Sequence, residues 1–92
     1  MPTIAIHRPH RLPLAQARAV VDDVAARMRE KFGLAGGWQG DTLHFSRPGL
    51  NGQIALSADA VDVHAELGLL LAPLKALVEA EIRRKLDERF GG

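Results

Sequence analysis

The sequence predicts an α+β fold, a two-layer sandwich in which two helices cover one face of an antiparallel sheet. Two segments carry apolar residues at spacings of three and four, which is typical of amphipathic helices. Between them, short alternating segments are separated by Gly, Pro, Asn and Asp, as expected for strands joined by tight turns. With one more alternating segment near the N-terminus, the order is β-α-β-β-β-β-α, which favours both helices on the same side of the sheet.

The first two elements are predicted from local patterns. Thr3–His7 alternates and predicts a strand with its two isoleucines on one face. A helix is expected over Pro13–Phe32, because proline is compatible with the first turn of a helix. Gly33 should end this helix in the left-handed conformation, with Leu34 folding back onto the last turn. The apolar stripe of the helix is Leu14, Ala17, Val21, Val24, Met28 and Phe32.

A four-stranded meander is expected next. Its turns are predicted at Gly40-Asp41, at Pro48–Gly52 and at Ala58-Asp59. A slip of one residue would turn every side chain over, so the apolar pattern sets the register. The place of the first strand in the sheet stays open. The strands are Trp38-Gln39, Thr42–Arg47, Gln53–Ser57 and Ala60–Leu67. The expected pairs are Trp38 with Leu43, Phe45 with Ile54, Leu43 with Leu56, Leu56 with Val61, and Ile54 with Val63.

The last helix should begin near Leu71 or Ala72 and run to Phe90, because Pro73 is compatible only with a first turn. Its predicted stripe is Leu71, Leu74, Val78, Ile82 and Leu86. Oppositely charged residues four apart also predict ion pairs within the helices. These pairs are Asp23–Arg27, Glu79–Arg83 and Glu81–Lys85.

Composition excludes several classes of function. The 92 residues favour a single domain over residues 1–92, with a net charge of +1 and acidic and basic residues intermixed. This mixture argues against a nucleic-acid-binding face, and the segment His7–Arg11 is interpreted as solvated. There is no cysteine, which excludes disulfides and thiolate metal sites. No apolar run has the ~20 residues of a transmembrane segment, and no signal peptide is recognised, so a cytoplasmic protein is expected.

No catalytic, cofactor-binding or metal-binding set is found, and no enzyme activity is predicted. Ser46 and Ser57, for example, lack a glycine-flanked nucleophile elbow. The expected register places four charged or titratable residues on the outer face of the sheet, namely His44, Asp62, His64 and Glu66. His44 is expected in a row with Asp62, and His64 in a row with Ser46. Two strand spacings of about 4.8 Å would separate the histidines, too far for a shared metal with bonds of about 2 Å.

A surplus of leucine surrounds the start of the last helix. Leu69, Leu70, Leu74 and Leu77 spread over more than one helical face, whereas one sheet covers a stripe of about 100°. Two alternatives remain open. The leucines pack against the first helix, or they form an exposed apolar contact surface for a partner subunit or an apolar particle.

Several runs of the sequence resemble the small bacterial polyhydroxyalkanoic acid system family, and together they extend over nearly the whole chain. The resemblance implies a role in storage-polyester metabolism, linked to granules or regulatory, and it supplies no catalytic residues. The runs that carry it are Ile6–His10 with Leu12, Leu43–Gly52, Ala65–Gly68, Leu70–Lys75 and Leu86–Phe90.

Three hypotheses of function follow. The first is a non-enzymatic binding or regulatory protein that acts at the polyester granule surface or on a granule-associated protein. The second is a self-associating module, a homodimer formed through the outer sheet face or an edge strand. The third is a small acyl-binding protein that uses the gap between helices and sheet, as helix-grip domains do. The chain's length argues against a deep cavity of that kind.

Overall fold

The computed structural model describes residues 2–90 and confirms the predicted α+β sandwich and its element order. The five strands form one antiparallel sheet in the order β1-β5-β4-β3-β2. One face of the sheet is buried beneath the helices, and the other is exposed. The elements are β1 (Thr3–Pro9), α1 (Leu14–Phe32), β2 (Ala35–Gln39), β3 (Thr42–Arg47), β4 (Leu50–Leu56), β5 (Ala60–Leu67), a 3₁₀ helix (Leu69–Leu74) and α2 (Lys75–Phe90).

Helix α1 ends as the sequence predicts. Gly33 has φ 69° and ψ 31°, and its N–H donates to the carbonyl of Arg29 at 3.0 Å. Leu34 is buried beyond this stop. The expected stripe is buried except for Leu14, which is 42 % exposed. Leu14 lies on the same side of the helix as the buried residues, so its exposure reflects its place in the first turn.

The register between β3 and β4 differs from the predicted one by two residues. Phe45 pairs with Gly52 instead of Ile54, and Leu43 pairs with Ile54 instead of Leu56. The turn before β4 is tighter than predicted, because Gly49 adopts φ 87° and β4 already begins at Leu50. An even shift keeps each side chain on its predicted face. The remaining predicted pairs are confirmed: Trp38–Leu43, Leu56–Val61 and Ile54–Val63.

Strand β1, whose place the sequence left open, pairs with β5 at one edge of the sheet. Ile4 lies opposite Ala65, and Ile6 lies opposite Val63. Both isoleucines are buried and join the core beneath the two helices. The two edge strands of the sheet are therefore β1 and β2.

The C-terminal helical segment begins in two steps. The 3₁₀ helix contains Pro73, and α2 starts at Lys75, a few residues after the predicted start. The predicted core residues Val78, Ile82 and Leu86 are each 1 % exposed. The pair Glu79–Arg83 is confirmed, with 3.1 Å between Oε2 and Nε.

The other two predicted ion pairs are wrong, because Asp23, Arg27 and Glu81 form ion pairs between the two helices instead. Asp23 pairs with Arg89, and Glu81 is almost fully buried between the helices. Three cations surround the Glu81 carboxylate: Arg27 Nε at 2.9 Å, Lys31 Nζ at 3.2 Å and Arg84 at 2.8 Å. The hydrogen bond from Arg27 is the main cause that lowers the pKa of Glu81 to about 2. These contacts show that α1 and α2 pack antiparallel, with the end of α1 beside the start of α2.

Candidate functional site

An apolar surface covers the start of the C-terminal helical segment. Every exposed position between 69 and 80 carries an apolar residue. Leu69 is 85 % exposed, Leu70 is 94 % exposed and Leu77 is 49 % exposed. These values exclude the alternative that α1 covers them. The apolar strip, as we call this surface, consists of Leu69, Leu70, Pro73, Ala76, Leu77 and Ala80.

Leu74, the fourth leucine singled out in the sequence, behaves differently. Its side chain is half-buried and packs against the core, so it belongs to the fold more than to the strip. Lys75 and Glu79, the charged residues within this stretch, are half-buried and pair with each other at 3.6 Å. Each of these two charges is therefore partly neutralised by the other, beside the strip. Beyond Ala80 the exposed face of α2 becomes charged, beginning with Arg83 and Arg84.

The outer sheet face, the second candidate surface, lies on the opposite side of the sandwich from α2. His44, Gln53 and His64 form one cross-strand row, because His44 pairs with Gln53 and Gln53 pairs with His64. The sequence placed the two histidines in different rows, an error that follows directly from the β3–β4 register. Asp62 binds His7 Nδ1 of β1 at 2.5 Å, and Glu66 lies opposite Asn51.

A shallow depression of about 350 Å³ lies on this face and is lined by residues of β2, β3, β4 and β5. His44, Gln53, His64 and Glu66 lie among its lining residues, so the structure brings together three of the four outer-face residues predicted from sequence. The fourth, Asp62, is turned toward His7 at the next row. Such a surface can offer hydrogen bonds to a polar partner.

His44 and His64 lie too far apart on this face to bind one metal ion together. His44 and His64 are separated by the intervening β4, a distance of two strand spacings or about 10 Å. Across residues 2–90, no group of three or more His, Cys, Asp and Glu side chains has the arrangement of a metal site.

His10 has a structural role, which corrects the interpretation of the basic segment at residues 7–11 as solvated. The imidazole is 7 % exposed and stacks on Phe90, with 5.2 Å between ring centroids. Nε2 donates to the carbonyl of Ser57 at 2.9 Å, and Nδ1 accepts from the backbone N–H of Leu12 at 3.1 Å. The ring thus holds the end of β1 against the β4–β5 turn and the end of α2.

The gap between α1 and the sheet offers little room for an acyl chain. This gap, lined in part by Ala25, Leu34, Leu43 and Phe45, has a volume of about 10 Å³. This is about the space of one water molecule. The acyl-binding hypothesis therefore lacks the cavity it needs at this place.

Residues 4–90 match the family model described as "Putative polyhydroxyalkanoic acid system protein". The chain belongs to this family. The membership confirms the resemblance noted in the sequence and links the chain to polyhydroxyalkanoate storage systems. No curated protein and no solved structure matches the chain. Within residues 2–90, neither helix has the length and apolar character needed to cross a bilayer.

Proposed function

We propose that this protein is a non-enzymatic binding protein of the polyhydroxyalkanoate storage system that contacts the polyester granule through the apolar strip. The observation that carries the proposal is the exposure of the strip, above all Leu70 at 94 % and Leu69 at 85 %. Exposed aliphatic side chains grouped on one surface are typical of interaction sites. The family is linked to polyhydroxyalkanoate storage, and this polyester is an apolar material that such a surface could contact.

Binding to a polyester surface does not require a protein surface of one particular shape. The polyester surface is irregular, so binding depends on apolar area removed from water more than on a fitted pocket. Complete burial of a leucine side chain contributes roughly 1.5–3 kcal/mol. Leu69 and Leu70 are both nearly free in the monomer, so nearly all of that gain remains for adsorption. The flanking Lys75–Glu79 pair can stay at the aqueous rim.

The experiment is co-sedimentation with washed polyhydroxyalkanoate granules. The test variant carries Leu69→Ser, Leu70→Ser and Leu77→Ser, which leave the half-buried Leu74 in place and should preserve the fold. Leu14→Ser is the matched control, because Leu14 is also an exposed leucine, at 42 %, and lies on α1 outside the strip. Circular dichroism establishes that both variants are folded.

We expect the native protein and the Leu14→Ser control to pellet with granules, and the triple variant to bind at least tenfold more weakly. Each tenfold decrease in affinity corresponds to a loss of about 1.4 kcal/mol of binding free energy. Equal pelleting of the folded triple variant would refute the strip as the contact. If the native protein stays in solution, the granule contact is wrong, and a soluble protein of the storage system becomes the partner to seek by pull-down.

A further inference from the structure

The two edges of the sheet differ in how open they are to another strand. β1 carries Pro9, which lacks an N–H, and Arg8, which binds Asp87 of α2 at 2.6 Å. β2 has the sequence AGGWQ over Ala35–Gln39, with no charged residue and no proline. Native sheets usually block their edges with charge, proline or a covering element. Of the two edges, β2 is the one whose own sequence lacks charge and proline. The charged side chains beside it, Arg18 and Asp22 of α1, contact the Trp38 ring.

Backbone geometry determines which residues of β2 face the open edge. β2 and β3 are joined by a two-residue loop in which Gly40 has φ 63°, so the hairpin closes on the pair Gln39–Thr42. The closing pair of such a hairpin is hydrogen-bonded, and along an antiparallel ladder hydrogen-bonded pairs alternate with non-hydrogen-bonded pairs. Gly36–Phe45 and Trp38–Leu43 are therefore non-hydrogen-bonded pairs. Gly36 and Trp38 therefore direct their N–H and C=O groups away from β3, toward the open edge.

The edge of β2 is complementary to a second copy of itself. In an antiparallel pair centred on Gly37, Gly36 of each copy lies opposite Trp38 of the other. The outward N–H and C=O groups of these residues then meet as hydrogen-bonded pairs. Each indole also lies beside a residue without a side chain, an arrangement in which an aromatic ring compensates for a glycine in a strand.

We propose that two copies of the chain pair through β2 to form one continuous ten-stranded sheet, twice the five strands of the monomer. The twofold axis of such a pair is perpendicular to the sheet, so both helix layers lie on the same side. Both apolar strips then face the same direction. The paired strand is only five residues long, so we expect a dimer of micromolar affinity, since standard interfaces are larger.

This arrangement has a consequence that rests on the proposed function. Two strips on one side can contact one granule surface at the same time, and the second contact is then intramolecular. Linked contacts of this kind raise the overall affinity by about 100-fold or more. The granule surface would also favour the dimer, because adsorbed copies are concentrated beside each other.

The test uses the purified chain and two variants, Gly37→Lys and Gly37→Asp. A Cβ at Gly37 meets nothing within 4 Å in the monomer, and its φ is not positive, so both variants should fold. In the proposed dimer residue 37 lies opposite its own copy, where like charges repel. The control is Ala5→Lys, an exposed position on the outer face of β1 at the other edge.

Light scattering and analytical ultracentrifugation across micromolar concentrations give the mass. We expect the native chain and the Ala5→Lys control to shift from 10.0 kDa to twice that mass. Each Gly37 variant alone should stay monomeric, and a 1:1 mixture of the two should dimerise, because opposite charges then meet. A native chain that is monomeric throughout, or a Gly37→Lys chain that still dimerises, would overturn the proposal.

Amide hydrogen exchange of the native chain gives a second measurement that needs no variant. The Gly36 and Trp38 amides should become protected as concentration rises, and fast exchange in the dimer would overturn the β2 interface. In co-sedimentation, monomeric Gly37→Lys should bind granules about 100-fold more weakly than the native chain. A native chain that dimerises yet does not pellet would refute the granule function and leave the dimer intact, so the two failures are distinguishable.

Discussion

Replacing Gly52 with alanine tests the β3–β4 register directly. An alanine Cβ would lie 2.5 Å from two ring carbons of Phe45 and 2.9 Å from the Cβ of Ala65. Both neighbours are buried, Phe45 at 7 % and Ala65 at 0 % exposure, so neither can move away freely. We expect Gly52→Ala to lower the free energy of unfolding by about 1–3 kcal/mol, the usual cost of overpacking a core. If Phe45 instead faced Ile54, position 52 would belong to a turn away from this ring.

A double-mutant cycle isolates the contact. Phe45→Leu removes the ring carbons that crowd position 52, so Gly52→Ala should cost less in that background. We expect a coupling energy of about 1 kcal/mol or more, as for residues in direct contact. Part of the cost should remain, because the Ala65 Cβ stays in place. Urea unfolding followed by circular dichroism measures each variant, and 1 kcal/mol corresponds to about 4–8 °C in Tm. Equal costs of Gly52→Ala in both backgrounds would refute this packing.

Two further predictions concern α1 and its contact with α2. The pKa of Glu81 is lowered to about 2 in the folded chain, so its stabilising contribution is complete above the unfolded pKa near 4.5 and is lost as the pH falls toward 2. The stability difference between the native chain and Glu81→Gln, measured by urea unfolding, should therefore shrink over that range; a constant difference would contradict the ion cluster. Gly33→Ala places a Cβ at φ 69° and should cost about 1–2 kcal/mol; an unchanged urea midpoint would show that the left-handed stop is not required.

The sequence predicted those features whose causes lie within a few residues along the chain. The α1 stop depends on Gly33 and the turn before it, and the two faces of each strand follow from a period of two. These signals remain valid wherever the element is placed. The β3–β4 register was predicted wrongly because two registers, two residues apart, put the same side chains inside. What distinguishes them is the space over Gly52, which a pattern of apolar residues does not describe.

Ion pairs show the same limit. Glu81 has Lys85 at a spacing of four, yet it binds Arg27 and Lys31 of α1, because burial between the helices removes it from solvent. His10 was interpreted as solvated for a similar reason. Its partner Ser57 is 47 residues away along the chain, and no spacing rule joins them. Contacts across elements depend on the docking angle and on which faces meet.

At the candidate site, the surplus of leucine residues can be predicted from sequence alone. Leu69, Leu70 and Leu77 exceed what one sheet can cover, and that follows from counting apolar positions around a helix. The fold, however, is needed to show that these three leucines are exposed and that Leu74 is half-buried against the core. The physical reason is that amphipathic periodicity is local, whereas burial depends on whether another element occupies the facing space, and here α1 does not cover the strip.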